Sequence, residues 1–201
     1  LGDVYKRQEY RVTGTSNHAG TTPMRLRHDA GFVAAAITTE ARRLADGLGG
    51  DQVATVGVTE LRPNLVNVIA NHARITVDLR NTTENILQQA EASMTQYIAK
   101  LAAIEGVEVA SRSLARFSPV EFSPDVMNLI ETTANERGYA CQRLPSGAGH
   151  DAQMFAPNCP TGMIFVPSQG GISHNVKEFT AAVEIDAGLD VLTQVVLQLT
   201  E

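Results

Sequence analysis

The sequence predicts an α/β protein in two parts, a ferredoxin-like split βαβ unit followed by a smaller α/β unit. Three observations carry this. Hydrophobic periodicity up to Phe117 switches from strand to helix, to a run of strands, to a second helix and a closing strand, which reads as the split βαβ arrangement. The pairs Ser118-Pro119 and Ser123-Pro124 then mark a boundary. Beyond them come a capped helix, a short continuous apolar run and a last amphipathic helix.

The elements follow in order. Leu1 to Gln8 start without Met, show no period and receive no role in the fold; foreign sequence or a fragment boundary accounts for them equally. Tyr10 to Thr15 reads as a strand entering a turn at Asn17–Gly20. Ala30, Val33, Ile37, Ala41 and Leu44 form one apolar stripe, which predicts a helix over Arg27–Leu44 stopped by Gly47. Gln52 to Thr59 reads as a strand. Leu65 to Ala70 reads as another, paired in a hairpin with the alternating Ile75, Val77 and Leu79. Asn81, three residues before Glu84, signals a helix with Leu87, Ala90, Met94, Tyr97, Leu101 and Ile104 as its stripe and Gly106 as its end. Val107 to Phe117 closes the unit.

In the second part Ser123 and Pro124 suit the N-cap and first position of a helix ending near Arg137. Met163 to Val166 is apolar throughout, as in a parallel strand covered on both faces. The last helix places Ile185, Leu189, Leu192, Val196 and Leu199 on one stripe. Some 80 residues with so few strands make a thin core, so this unit reads as part of a larger domain.

Composition excludes several functions. Across 201 residues, 43% are hydrophobic and 19% charged, ordinary values for a globular protein. No run approaches the roughly 18 apolar residues of a membrane span. Sixteen Lys and Arg against 22 Asp and Glu give a net charge of −6, and with six Phe, four Tyr and no Trp this disfavours nucleic acid as a partner. Cys141 and Cys159 have neither metal-type spacing nor a disulfide framework, so reduced thiols and a cytoplasmic location are expected.

Of five histidines, His28 and His72 read as ordinary solvated residues. The other three keep unusual company. His18 opens His-Ala-Gly-Thr-Thr-Pro-Met, between a strand and a helix. His150 lies in Ser-Gly-Ala-Gly-His-Asp-Ala, where small residues admit another group close to the backbone. His174 ends Ser-Gln-Gly-Gly-Ile-Ser-His, directly after the apolar run, where open α/β sheets place their sites. Imidazole serves as metal ligand or hydrogen-bond donor near neutral pH, so each has two possible roles.

These strings, together with Arg27, Asp29 and Ala30, then Pro-Asn-Leu-Val-Asn-Val-Ile at 63–69, and Val-Asp-Leu-Arg at 77–80, resemble one family in order from Tyr10 onward. It is the hydantoinase/carbamoylase family of metal-dependent amidases, which embraces N-carbamoyl-L-amino-acid hydrolases, allantoate amidohydrolases and β-ureidopropionases within the zinc aminoacylase/carboxypeptidase superfamily. The resemblance implies that 9–117 is a lid and dimerisation domain and that 118–201 is the C-terminal part of a catalytic domain holding two divalent metals. Zinc is the first candidate, and manganese, cobalt or nickel also suit a mixed imidazole–carboxylate site.

Residue by residue, the resemblance implies that His174 is a metal ligand and that His18 reaches the partner subunit's active site to stabilise an oxyanion. It implies that Asn67 and Arg80 bind a substrate carboxylate, and that Gly170 and Gly171 line the pocket with backbone. His150 and Asp151 fall in a signature next to the site, with no assigned role. An Arg offers a carboxylate two parallel donors that a Lys cannot copy. The family's other ligands and its general base come from upstream patterns, His-X-Asp and Glu-Glu, and neither pattern occurs in this sequence. The expected function is hydrolysis of a carbamoyl or ureido C–N bond in an N-carbamoyl amino acid or related compound, by a homodimer, with this chain by itself inactive. An aminoacylase or dipeptidase of the same superfamily, and a non-catalytic dimerisation module, are the competing readings.

Overall fold

The computed structural model describes residues 4–118 and 120–200; Leu1, Gly2, Asp3, Pro119 and Glu201 lie outside the described residues. The chain divides at Val120 into two compact units.

The first unit is a four-stranded antiparallel sheet with two helices on one face. Its strands are β1 (Val4–Thr13), β2 (Val53–Arg62), β3 (His72–Asn81) and β4 (Glu108–Phe117), in the order β2-β3-β1-β4. The helices are α1 (Ala30–Leu48) and α2 (Glu84–Glu105). Alternation decides which side is buried. Ala73, Ile75, Val77 and Leu79 of β3 meet Val33, Ile37 and Ala41 of α1 and Leu87, Ala90 and Met94 of α2 in one core. Removing that many large apolar groups from water, at about 25 cal/mol per Å² of apolar surface, is what holds the sheet to the helices.

The opposite face of the sheet is polar and rich in arginine. Glu9, in β1, is only 1% exposed, yet it accepts from Arg74 Nε at 2.7 Å and Arg11 Nε at 2.9 Å, and Arg112 stands 3.6 Å away. The Arg74 hydrogen bond above all, helped by Arg11, holds this carboxyl below the usual carboxylate range although burial pushes the other way.

Several boundaries differ from the sequence reading, each for a physical reason. β1 begins at Val4, so residues 4–8, expected to play no part, are strand that pairs with both β3 and β4. Gly47 lies inside α1, and the helix stops at Gly49, whose φ of 64° a side chain would resist. Thr83, not Asn81, holds the N-cap position of α2, without a side-chain capping bond, while Asn81 Oδ1 accepts from the Thr83 amide at 2.8 Å. The hairpin joins β2 to β3, with Arg62 opposite His72. Leu65–Ala70 is therefore loop rather than strand. Its backbone is taken elsewhere: the Ile69 amide donates to Asn17 O, and Ala70 O accepts from the Ala30 amide.

The second unit holds α3 (Pro124–Glu136), the short α4 (Ala152–Phe155) and α5 (Ala182–Thr200). Ser123 Oγ accepts from the Val126 amide, and Pro124 opens α3 as expected. Ala134 of α3 packs on Val191 and Val195 of α5, with Ile130, Tyr139 and Ile164 around them. Arg137 pairs with Asp190, which also accepts from the Tyr139 hydroxyl at 3.0 Å. Val191 and Val195 make the contact with α3, and the stripe from Ile185 to Leu199 stands about half open. Met163–Val166 is also not a strand, and Phe165 is exposed. A four-residue run needs a neighbour to pair with, and among the described residues none does. Together with Ala140–Leu144, Phe122, Met127 and Ile130, it lines an open apolar cleft of about 410 Å³.

Candidate active site

The first unit brings two of the expected site residues together. From Thr13 the chain leaves β1, and Gly14 lies so close to His28 that a Cβ would stand 2.1 Å from its carbonyl oxygen. The chain then runs beside the loop that follows β2. The Ala19 amide donates to Asn67 O at 2.9 Å, the Ile69 amide donates to Asn17 O at 2.9 Å, and His18 and Val68 form a β-bridge. Both His18 and Asn67 are exposed. Ile69, 4% exposed, anchors this loop pair in the core.

The turn after His18 is closed by its own polar groups. Thr22 donates to His18 O through its amide and its hydroxyl, at 3.2 and 2.7 Å. Arg27 donates to Ala19 O at 2.6 Å and to Thr22 O at 3.0 Å. His18 Nδ1 accepts from the amides of Gly20 and Thr21, at 3.0 and 3.2 Å. Asp29 then caps α1, its Oδ1 accepting from the Gly31 and Phe32 amides.

Arg80 lies elsewhere. It is near the far end of β3, eight residues on from His72, where the Asn67 loop joins the strand; that is about 27 Å of extended chain. Its guanidinium grips Asp78, Nε to Oδ1 at 2.9 Å and Nη2 to Oδ2 at 3.1 Å, and rests 4.9 Å over the Tyr5 ring.

In the second unit, Gly170 and Gly171 both adopt positive φ, 67° and 68°, so the loop after Pro167 needs these glycines for its path. His174 also has positive φ, 56°, and its amide donates to Glu178 at 2.7 Å. His150 is held by Ser146, Nε2 to Oγ 2.9 Å, and edge-on to Phe165, while its amide donates to Gln153. Asp151 precedes α4 without a side-chain cap bond. Among the described residues no three His, Cys, Asp or Glu side chains gather into a metal centre. His174 offers one ligand where a stable zinc site uses three or four, so the residues present do not by themselves fit the two-metal group.

Sequence reasoning missed two residues. His28 is not idle: its Nδ1 lies 2.9 Å from Glu105 O, the end of α2, and a carbonyl accepts only, so Nδ1 donates. Arg27 was one residue of a motif with no task attached. Its position five after Thr22 and eight after Ala19 carries no periodic signal.

Residues 8–198 match the family model described as Peptidase family M20/M25/M40. The allantoate amidohydrolase of Bacillus subtilis is 34% identical over 194 residues, 96% of this chain and 47% of its own length. The N-carbamoyl-L-amino acid amidohydrolase of Geobacillus stearothermophilus is 34% identical over 197 residues, again 96% of this chain and 47% of its own. Among solved structures, a hydantoinase/carbamoylase family amidase from Burkholderia vietnamiensis superposes with a TM-score of 0.95 at 33% identity, covering 98% of this chain and 48% of that one. The chain thus spans about half the length of the curated relatives it matches. It belongs to the M20/M25/M40 peptidase family. Within it, the chain groups with the hydantoinase/carbamoylase amidases. Among the described residues no helix is long and apolar enough to cross a membrane.

Proposed function

We infer that the protein hydrolyses a linear carbamoyl or ureido C–N bond in an N-carbamoyl amino acid or related ureido compound, in a metal-dependent site. The names of the similar amidohydrolases support the bond type. The observation that carries the reading is the backbone pairing of the His18 and Asn67 loops, which brings two exposed polar residues onto adjoining loops. In this reading His18 offers a donor to a carbonyl oxygen that gains charge as a tetrahedral intermediate forms, and Asn67 offers one to the substrate carboxylate. Arg80, held through Nε and Nη2 by Asp78, is the cation this reading gives to the substrate carboxylate.

The separation along β3 supports a site shared between two chains, with His18 and Asn67 from one and Arg80 from the other. The sheet leaves β2 and β4 as edges. β2 is the better candidate for self-pairing: β4 carries Arg112 and Arg116, whereas β2 has no charge before Glu60, and Phe32 of the adjacent α1 stands open. Symmetric pairing of β2 with its copy gives the lid-mediated homodimer. Light scattering on the chain and on a Thr55→Pro variant tests this; a dimer that survives the proline unchanged sinks the β2 edge.

His174 serves as one metal ligand in this reading, and Gly170 and Gly171 line the pocket. The scarcity of ligands among the described residues favours a second reading, a non-catalytic dimerisation module. Assaying full-length protein with N-carbamoyl against N-acetyl amino acids separates the possibilities. Preference for the carbamoyl compounds is expected; preference for acetyl compounds or dipeptides points to an aminoacylase or dipeptidase, and no turnover of either points to the module.

A further inference from the structure

We propose that Arg27 is a positioning residue that fixes His18 as an Nε2–H hydrogen-bond donor. The inference rests on the reading of His18 as a donor to the developing oxyanion, and deepens it by assigning the proton and the residue that keeps it in place.

The direction of two hydrogen bonds decides the tautomer. Gly20 and Thr21 point their amides at His18 Nδ1, at 3.0 and 3.2 Å. An amide N–H can only donate, so Nδ1 must present its lone pair, and the single proton of the neutral ring sits on Nε2. Nε2 makes no hydrogen bond among the described residues, and the ring is exposed. The turn therefore presents a donor and not a base at Nε2. His28, ten residues on, is the opposite case, since its Nδ1 must donate to Glu105 O.

Both donors to Nδ1 lie between Ala19 and Thr22, and the carbonyls of these two flanking residues are the pair that Arg27 grips, through Nη2 and Nε. Arg27 makes no ion pair among the described residues, so its fork is directed at the turn. A planar guanidinium spans two carbonyls in a fixed geometry, which an ammonium cannot reproduce. Gly20 completes the device: a Cβ there would stand 3.3 Å from His18 Cε1, against the ring it orients.

The experiment is nitrogen NMR on the ¹⁵N-labelled 201-residue chain, in alkaline buffer where imidazoles are neutral, with His18 assigned through His18→Gln. His18 should show Nδ1 in the unprotonated range and Nε2 in the protonated range, and His28 should show the reverse. Arg27→Gln should draw the two His18 shifts toward each other as the tautomers mix, with His28 unmoved. Should Arg27→Gln erase the His28 pattern too, and so fail to fold, Arg27→Lys is read in the same way. An Nδ1-protonated or mixed His18 in the unsubstituted chain overturns the proposal, as does a His18 pattern that the folded Arg27 variant leaves intact. No turnover enters this test, so its failure is distinct from a failure of His18→Ala to lower activity, which would overturn the functional reading instead.

Discussion

Ala19 donates its amide proton to the carbonyl of Asn67 at 2.9 Å, and this bond joins two loops whose residues are 48 positions apart in the sequence. It holds the backbones of the His18 and Asn67 loops side by side. The loop pair sits at the end of the sheet where β1 leaves and β3 begins, so the rigid core sets its position while both side chains remain exposed.

Arg80 and His18 should separate kinetically in the full-length enzyme. In the proposed site Arg80 would meet a carboxylate present in both ground and transition states, so Arg80→Lys should mainly raise KM, by about tenfold to a hundredfold. His18→Ala should instead lower kcat by about 100- to 1000-fold with little change in KM. Steady-state kinetics with an N-carbamoyl amino acid checks both.

A site built from two chains should be restored by mixing. Subunit exchange between His18→Ala and His174→Ala enzymes should recover about a quarter of wild-type activity, the share of sites that random pairing leaves intact in a two-fold dimer. Exchange proven by labelled subunits without any recovery would place His18 in its own subunit's site, or in none.

Zinc should bind this chain weakly, because among the described residues His174 belongs to no cluster of three His, Cys, Asp or Glu side chains. Calorimetry that finds tight stoichiometric binding, abolished by His174→Ala, would contradict this.

Acid and alkali should each weaken the first unit, and Glu9 and Tyr10 are groups through which they act. The Glu9 carboxyl is depressed by Arg74, with Arg11 behind it, so its stabilisation is complete above the unfolded value of about 4.3 and is lost as pH falls through the lower folded value. Tyr10 is pushed up to about 12 by burial, the Glu91 charge adding to it, so its contribution is complete below about pH 10 and is lost as pH rises toward 12. In denaturant titrations, Glu9→Gln should flatten the acid limb and Tyr10→Phe the alkaline one.

The fold of the first unit was legible because it depends on local periodicity. Val33, Ile37 and Ala41, and likewise Ile75, Val77 and Leu79, lie in the core where their spacing puts them. Leu65–Ala70 misled because it has the composition of a strand while its backbone partners, Asn17, Ala19 and Ala30, come from the distant segment between β1 and the start of α1. The same cause hid His28 and Arg27: each acts on carbonyls, at Glu105 or at Ala19 and Thr22, and carbonyls have no sequence signature. On α5 the spacing of the apolar stripe was read correctly, but Val191 and Val195, on another side of the helix, are the residues that meet α3.

Five apolar residues from Ile185 to Leu199 rising along one side of α5 form a strip of about 21 Å. Such a strip should light up ANS and retain the chain on phenyl resin, and it should set the concentration at which the protein clouds. Leu189→Lys with Val196→Glu should cut dye fluorescence and retention together while leaving the melting temperature nearly unchanged, since Val191 and Val195 keep their seats against α3. A large drop in melting temperature would show that the strip is closed in solution.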